Sequence, residues 1–253
     1  MDRTNDKGMN ISARDESSVV EGRNAVFELL RSGRAIEKIY IAKDMNRDIV
    51  EKARAMHVQV SEIDKRKLET MSEGGNAQGV IALCTPIEYK TVDDMIALAE
   101  ERGEKPFIII CDGLNSPHNL GAIIRTAECA GAHGVVIPQH RSIGITPTVT
   151  RVSEGAVNHM HIAKVTNVRN TLEELKEKGV WTACADMDGT EYTKSDLNIP
   201  LALVVGGEDK GITPLIKKTC DMVLAIPQKG RLNSLNASVA AAIMMYEVVR
   251  QRG

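Results

Sequence analysis

The sequence predicts an α/β fold, a mostly parallel sheet with helices on both faces, preceded by a smaller α/β unit. Three features point there. Two continuous apolar runs, 107–111 (FIIIC) and 201–205 (LALVV), suit strands covered on both faces. Around them, short apolar runs alternate with stretches of helical periodicity, the pattern of strand–helix–strand crossovers. Finally, 206–211 (GGEDKG) and 227–236 (PQKGRLNSLN) are polar loops leaving the C-terminal ends of predicted strands, where open α/β sheets place ligands.

Taken in order, residues 1–17 are polar and charged and read as a disordered tail. A helix over 24–30 ends near Gly33. Residues 36–41 alternate as a strand, 47–56 read as a helix, 58–61 as a short strand, and 64–71 as a helix with Asp64 as N-cap. The run 74–79 (GGNAQG) is a flexible turn before a strand at 80–84. Residues 18–84 thus form a βα-alternating domain close to the minimum size for independent folding. Residues 85–91, with Pro86, read as a linker to a second domain, 92–253.

That domain is expected to run strand 107–111, helix 119–131, strand 133–137, short helix 148–156 and edge strand 160–163. A helix over 168–178, strands 180–185 and 201–205, and a helix capped by Thr213-Pro214 come next. A strand over 222–226 and a long closing helix complete it.

A chain of 253 residues with 43% hydrophobic and 26% charged residues has the make-up of a globular protein with real cores. A net charge of −2 makes no bulk case for nucleic-acid binding, so any RNA contact needs a local basic patch. Candidates are Arg23, Arg31, Arg34 and Lys38 in the first domain, and Arg141, Arg151, Lys210, Lys217, Lys218, Lys229 and Arg231 in the second. Aromatics at 3% argue against an extensive base-stacking platform. The five cysteines are scattered without metal spacing and read as reduced thiols of a cytoplasmic protein. No secretory segment and no apolar run of spanning length appears, so neither export nor membrane insertion is expected.

Several chemistries fail on residues. The segment 206–211 has the outer glycines of a phosphate loop, but Ile212 stands where its lysine must be. The loop after Cys111 (DGLNSP) lacks the dinucleotide fingerprint, which disfavours a nicotinamide oxidoreductase. His159 and His161 share a strand face with no acid or cysteine to complete a metal set. Ser234 is not in a nucleophile elbow. The helix opened by Pro117 carries Asn119, a good N-cap type, with Gly121 leaving room for close approach and Arg125 further on. Asn and Arg there suit a polar or anionic ligand; a capped helix with a surface arginine is the plain alternative.

Three segments together resemble the SpoU (TrmH) family of S-adenosylmethionine-dependent RNA ribose 2′-O-methyltransferases. They are Asn119-Leu120-Gly121 with Ile124-Arg125-Thr126-Ala127, then Leu203-Val204-Val205-Gly206-Gly207-Glu208 with Gly211-Ile212, then Ile226-Pro227 with Ser234-Leu235-Asn236-Ala237-Ser238. The likeness covers 107–252, with Gln228 and Ala237 standing where methionine and valine are more usual. The first domain is similar to the family's substrate-binding domain, akin to small ribosomal and kink-turn RNA-binding proteins. The layout most resembles family members that methylate a guanosine ribose of 23S rRNA.

The resemblance implies a SPOUT-type trefoil knot in the second domain, a homodimer, and S-adenosylmethionine as cofactor. By position it assigns catalysis to Asn119, Arg125, Glu208, Ser234 and Asn236. Donor binding falls to Leu203, Val205, Gly206, Gly207, Gly211, Ile226, Pro227, Leu235 and Asn236, with no metal. Arg125 would bind phosphate and steady a developing alkoxide, Glu208 would orient Arg125 or the substrate, and the two asparagines would fix the nucleotide. The rivals are tRNA ribose methylation and a catalytically silent RNA-binding or ribosome-assembly factor on the same fold.

Overall fold

The computed structural model describes residues 18–72, 76–208, 211–232 and 234–253. The expected tail 1–17, Gly74 and Gly75 of the expected turn, Asp209, Lys210 and Asn233 lie outside them. The chain divides into two compact units, the first ending at Ile87 and the second running from Glu88 to Gly253.

The first unit contains β1 (Ser18–Glu21), α1 (Arg23–Arg31), β2 (Ile36–Ala42), α2 (Arg47–Ala55), β3 (Val60–Ile63), α3 (Lys65–Met71) and β4 (Val80–Cys84). Its sheet runs β1-β4-β2-β3, with β4 antiparallel to both neighbours and β2 parallel to β3. Every residue of β4 is buried because both faces are covered. Val80, Ala82 and Cys84 pack with Val26, Leu29 and Ile49 of the helices, while Ile81 and Leu83 pack with Leu68 of α3. Asp64 caps α3 by accepting from the Arg66 N–H at 2.8 Å.

Two strands differ from expectation. β1 has no counterpart in the sequence reading, because four residues ending in a buried glutamate carry too little periodicity. β3 begins two residues late. His57 takes φ 56°, its N–H reaches the Arg54 carbonyl at 3.0 Å, and Val58 N–H reaches the Ala53 carbonyl at 2.9 Å. This Schellman closure of α2 uses residues the hydrophobic pattern had given to the strand.

The second unit contains α4 (Val92–Glu101), β5 (Phe107–Asp112), α5 (Pro117–Cys129), β6 (Gly134–Pro138), α6 (Pro147–Val152) and β7 (Ile162–Val165). It continues with α7 (Val168–Glu177), β8 (Trp181–Glu191), β9 (Leu201–Gly206), α8 (Pro214–Thr219), β10 (Met222–Ala225) and α9 (Ala237–Arg252). The sheet order is β10-β8-β9-β5-β6-β7, parallel at every pairing. From β5 the chain steps outward through β6 to β7, then crosses to build β8, β9 and β10 on the other side. The order therefore reverses between β5 and β9, which opens a crevice beyond their C-terminal ends.

One face of the sheet (Ile108, Ile110, Val136, Ala202, Val204) is covered by Met95 of α4, Leu172 and Leu175 of α7, and Ile216 of α8. On α4 the sequence reading assigned nothing, yet Thr91 and Asp94 make a reciprocal capping box at its start. α5 packs on both α6 and α9. Gly121 of α5 is where α6 crosses: an added Cβ would lie 2.7 Å from Val152 Cβ. The close approach expected at Gly121 is thus made by the protein itself. Among the described residues no helix is long and apolar enough to cross a membrane.

Burial raises the thiols of Cys84 to about 11 and Cys111 to about 12, whereas Cys129 is exposed. At roughly pH 8 iodoacetamide should label Cys129 in the native protein and leave Cys84 and Cys111 until unfolding. Mass spectrometry of tryptic peptides checks this.

On α9, Glu247 is buried and accepts from Arg250 Nη2 at 2.6 Å and Gln251 Nε2 at 2.7 Å. Those bonds, against the opposing effect of burial, lower its carboxyl from 4.5 to about 2. A depressed carboxylate stabilises the fold above its unfolded value, and that stabilisation is lost as pH falls from about 4.5 through about 2. Glu247→Gln should therefore lower the melting temperature near neutrality and narrow its drop on acidification, read by calorimetry across that window.

Candidate functional site

The site is built where β5, β8 and β9 end. The apolar run of β9 delivers Gly206, Gly207 and Glu208 to its C-terminal edge. Glycine is required twice. A Cβ on Gly206 would lie 2.4 Å from the Gly211 carbonyl carbon, and one on Gly207 would lie 2.2 Å from the Gly113 oxygen. Gly211 returns its N–H to the Gly207 carbonyl at 3.0 Å, so the turn folds back on the strand end.

α5 opens one turn earlier than its asparagine suggested. Ser116 is the N-cap, its hydroxyl accepting from the Asn119 N–H at 3.3 Å, and Pro117 occupies the first helical position. Asn119 is thereby released from capping. It is buried, its Nδ2 donates to Glu208 Oε1, and its Oδ1 accepts from Asn236 Nδ2 at 3.0 Å. Asn236 in turn caps α9, its Oδ1 accepting from the N–H groups of Ser238 at 2.9 Å and Val239 at 3.4 Å. Three residues from distant parts of the chain form one directed hydrogen-bond run.

Burial would raise the Glu208 carboxyl. Bonds from the Asn119 amide and from the N–H groups of Glu208, Asn115 and Ser116 outweigh it and hold the group below the usual glutamate range. Glu208 thus acts as an ionised acceptor that orients Asn119. Of the two expected partners of Glu208, Arg125 or the substrate, this arrangement sets aside Arg125. The Arg125 guanidinium instead donates from Nη1 to Glu154 Oε1 at 2.8 Å, with side chains 52% and 43% exposed.

Beside this run lies a cavity of about 430 Å³. Val205, Gly206, Gly207, Glu208, Gly211, Ile226, Ser234 and Leu235 line it. Leu203 does not, being buried deeper in the sheet, and neither Pro227 nor Asn236 is in the lining. Two acids that sequence reasoning missed, Asp186 and Asp188, complete the wall. They sit where β8 leaves its partner: Val223 of β10 pairs with Cys184, and the next residue, Leu224, pairs with Thr190. The intervening residues bulge outward, and Gly189 permits it, since a Cβ there would lie 2.4 Å from the Val223 oxygen. Lys217 of α8 bridges Asp186 at 2.9 Å and Asp188 at 3.2 Å. Part of the expected basic surface is likewise engaged internally, with Arg23 on Asp48, Arg31 on Glu28 and Arg34 on the Thr85 carbonyl.

Fold and site together define an α/β protein with a glycine-walled cavity of small-molecule size beyond the C-terminal ends of its parallel strands. The chain belongs to the SpoU rRNA Methylase family, whose description matches residues 106–246. Residues 19–90 match the family described as RNA 2'-O ribose methyltransferase substrate binding. YacO of Bacillus subtilis, which carries the name of a TrmH family tRNA/rRNA methyltransferase, is 44% identical over 238 residues, 92% of this chain and 95% of that protein. The crystal structure of an AdoMet-bound rRNA methyltransferase from Sinorhizobium meliloti is similar at TM-score 0.75 and 25% identity, covering 92% of this chain and 87% of that one. The SpoU methyltransferase AviRb from Streptomyces viridochromogenes, solved with its cofactor AdoMet, shares the fold at TM-score 0.81 and 22% identity, covering 96% of this chain and 94% of that one.

Proposed function

We propose that this protein transfers the methyl group of S-adenosylmethionine to a ribose 2′-hydroxyl of RNA, with a guanosine of 23S rRNA as target. The observation that carries the reading is the Asn236–Asn119–Glu208 run joined to the wall of a glycine-lined cavity, in a chain of an RNA-methylase family. The cavity suits the donor. Its volume falls within the roughly 300–1,000 Å³ of small-molecule sites, and apolar walls beside bare glycine backbone suit a purine. Asp186 and Asp188 share the single Lys217 ammonium, so their remaining carboxylate oxygens offer acceptors for hydroxyl and ammonium groups and the wall stays net negative toward a sulfonium. When bound, that donor supplies an electrophilic methyl carbon.

The chain's own residues supply orientation and charge. Glu208 fixes Asn119, and Asn119 fixes Asn236, so two amides are aimed before any substrate arrives. Arg125 holds an RNA phosphate and steadies the developing alkoxide, the proton leaving to a neighbouring group or water. Its exposed pair with Glu154 is worth about 0–1 kcal/mol, so a phosphate can take its place. Ser234, on the cavity wall, completes the polar set.

Other parts of the reading have their own support. A trefoil knot accords with a cavity lined from three separate stretches, by Gly206, Glu208 and Ile212, by Leu224, Ile226 and Gln228, and by Ser234, Leu235 and Met244, with α9 packed on α5. Homodimerisation accords with Val239 and Tyr246 of α9 and with Leu232, all exposed. The first unit serves as the RNA-binding domain, in line with the family match at 19–90. An RNA substrate and free thiols accord with the cytoplasm.

The test is transfer from tritiated donor to purified 23S rRNA and, separately, to total tRNA, followed by digestion to nucleosides. Label in 2′-O-methylguanosine from 23S rRNA is expected. Label from tRNA alone would replace the substrate, and label in a methylated base, or none, would overturn the reaction.

A further inference from the structure

A second cavity, of about 560 Å³, lies at the crevice where the strand order reverses between β5 and β9. It shares Gly207 and Gly211 with the first cavity, so one short turn walls both. Its chemistry is different. Arg141, Arg169 and His140 line it together with Asp112 and Asn115.

Arg141 is the unusual member. It takes φ 58°, in the left-handed region that residues other than glycine seldom adopt. The chain beyond it is pinned, because Ser142 Oγ and Ile143 N–H both donate to the Leu114 carbonyl, at 2.9 and 2.7 Å. Among the described residues no hydrogen bond or ion pair engages its guanidinium, whereas Arg125 and Arg169 are paired with Glu154 and Glu173. A strained backbone held in place beneath an uncommitted guanidinium is a pattern of binding sites. Arginine in such a place suits phosphate, which it grips with two N–H groups. Asp112, only partly buried at the end of β5, adds an acceptor that a free anion would not want but a base or ribose hydroxyl would.

We propose that this cavity holds a nucleotide of the substrate RNA adjacent to the methylated one, with its phosphate on Arg141 and a base or ribose donor group on Asp112. This rests on the RNA-methylation reading above. Arg141 is then a substrate-positioning residue, and the shared glycine turn sets the spacing between donor and RNA.

The experiment measures RNA binding by filter retention over a salt series, alongside single-turnover transfer and donor calorimetry, for the wild type, Arg141→Ala and Arg141→Gly. Glycine relieves the positive φ while removing the charge, so a folding defect and a binding defect are told apart. Both variants should bind RNA roughly five- to tenfold more weakly, and the slope of log K against log salt should fall by about one. The transfer rate at saturating RNA and the donor affinity should stay within about twofold, and Arg141→Lys should recover part of the loss. Unchanged RNA affinity and salt slope in Arg141→Gly would overturn the proposal, as would a lost transfer rate at unchanged affinity. Binding is read without methyl transfer, so a wild type that binds RNA but methylates nothing indicts the reaction and leaves the Arg141 comparison standing.

Discussion

Arg125→Ala is expected to lower the methyl-transfer rate about 10²–10³-fold, the usual consequence of deleting one donor aimed at developing negative charge. Donor affinity should barely change, because Arg125 sits on α5 outside the cavity lining and its guanidinium pairs with Glu154. The fold should barely change either, since an exposed ion pair contributes at most about 1 kcal/mol. The informative comparison is Arg125→Lys, which keeps the charge but loses the planar fork. A large residual defect there assigns the effect to directed hydrogen bonds rather than to charge alone. Full activity in Arg125→Ala under single-turnover conditions removes Arg125 from the mechanism.

The second large effect is expected at Gly207. An alanine Cβ there would sit 2.2 Å from the Gly113 oxygen and 2.8 Å from its carbon, both backbone atoms that no rotamer change can move aside. The turn between β9 and α8 must shift away from the loop after β5. Overpacking of this kind costs about 1–3 kcal/mol. Taken from donor binding, that is roughly 5–150-fold in affinity. Gly144→Ala is the control, as nothing lies within 4 Å of its added Cβ. Calorimetric titration with S-adenosylmethionine should show the loss in Gly207→Ala and none in Gly144→Ala; equal affinities would mean that the two-glycine approach does not shape the donor cavity.

Much of the second unit was legible because its strands are buried on both faces. Runs such as FIIIC and LALVV admit few other readings, and the loops that end them fell where an α/β sheet places ligands. The N-cap of α5 was legible too, yet misread. Ser116 and Asn119 are both good capping types, and Pro117, which belongs at the first helical position, decides for Ser116. Other features have no local signal. Asp186 and Asp188 reach the cavity only because β8 bulges past β10 at Gly189, a contact between segments more than thirty residues apart. Glu154 finds Arg125 across 29 residues, and Glu208 finds Asn119 across 89. Pairings of that kind are properties of the packed chain, not of spacing along it. The short β1 and the shifted β3 were lost for the opposite reason: four-residue strands hold too few alternations to announce themselves or fix their ends.

Underlying every assignment is the placement of a methyl donor against Gly206, Gly207 and Leu235, beside the asparagine–glutamate run. A crystal structure of the protein soaked with S-adenosylhomocysteine tests that placement most directly. The expected density lies in the cavity bounded by Val205, Ile226 and Leu235, with the sulfur on the side of Asn119 and Asn236. Density in the Arg141 cavity instead, or a ligand that leaves the Gly206–Gly211 turn untouched, would contradict the account.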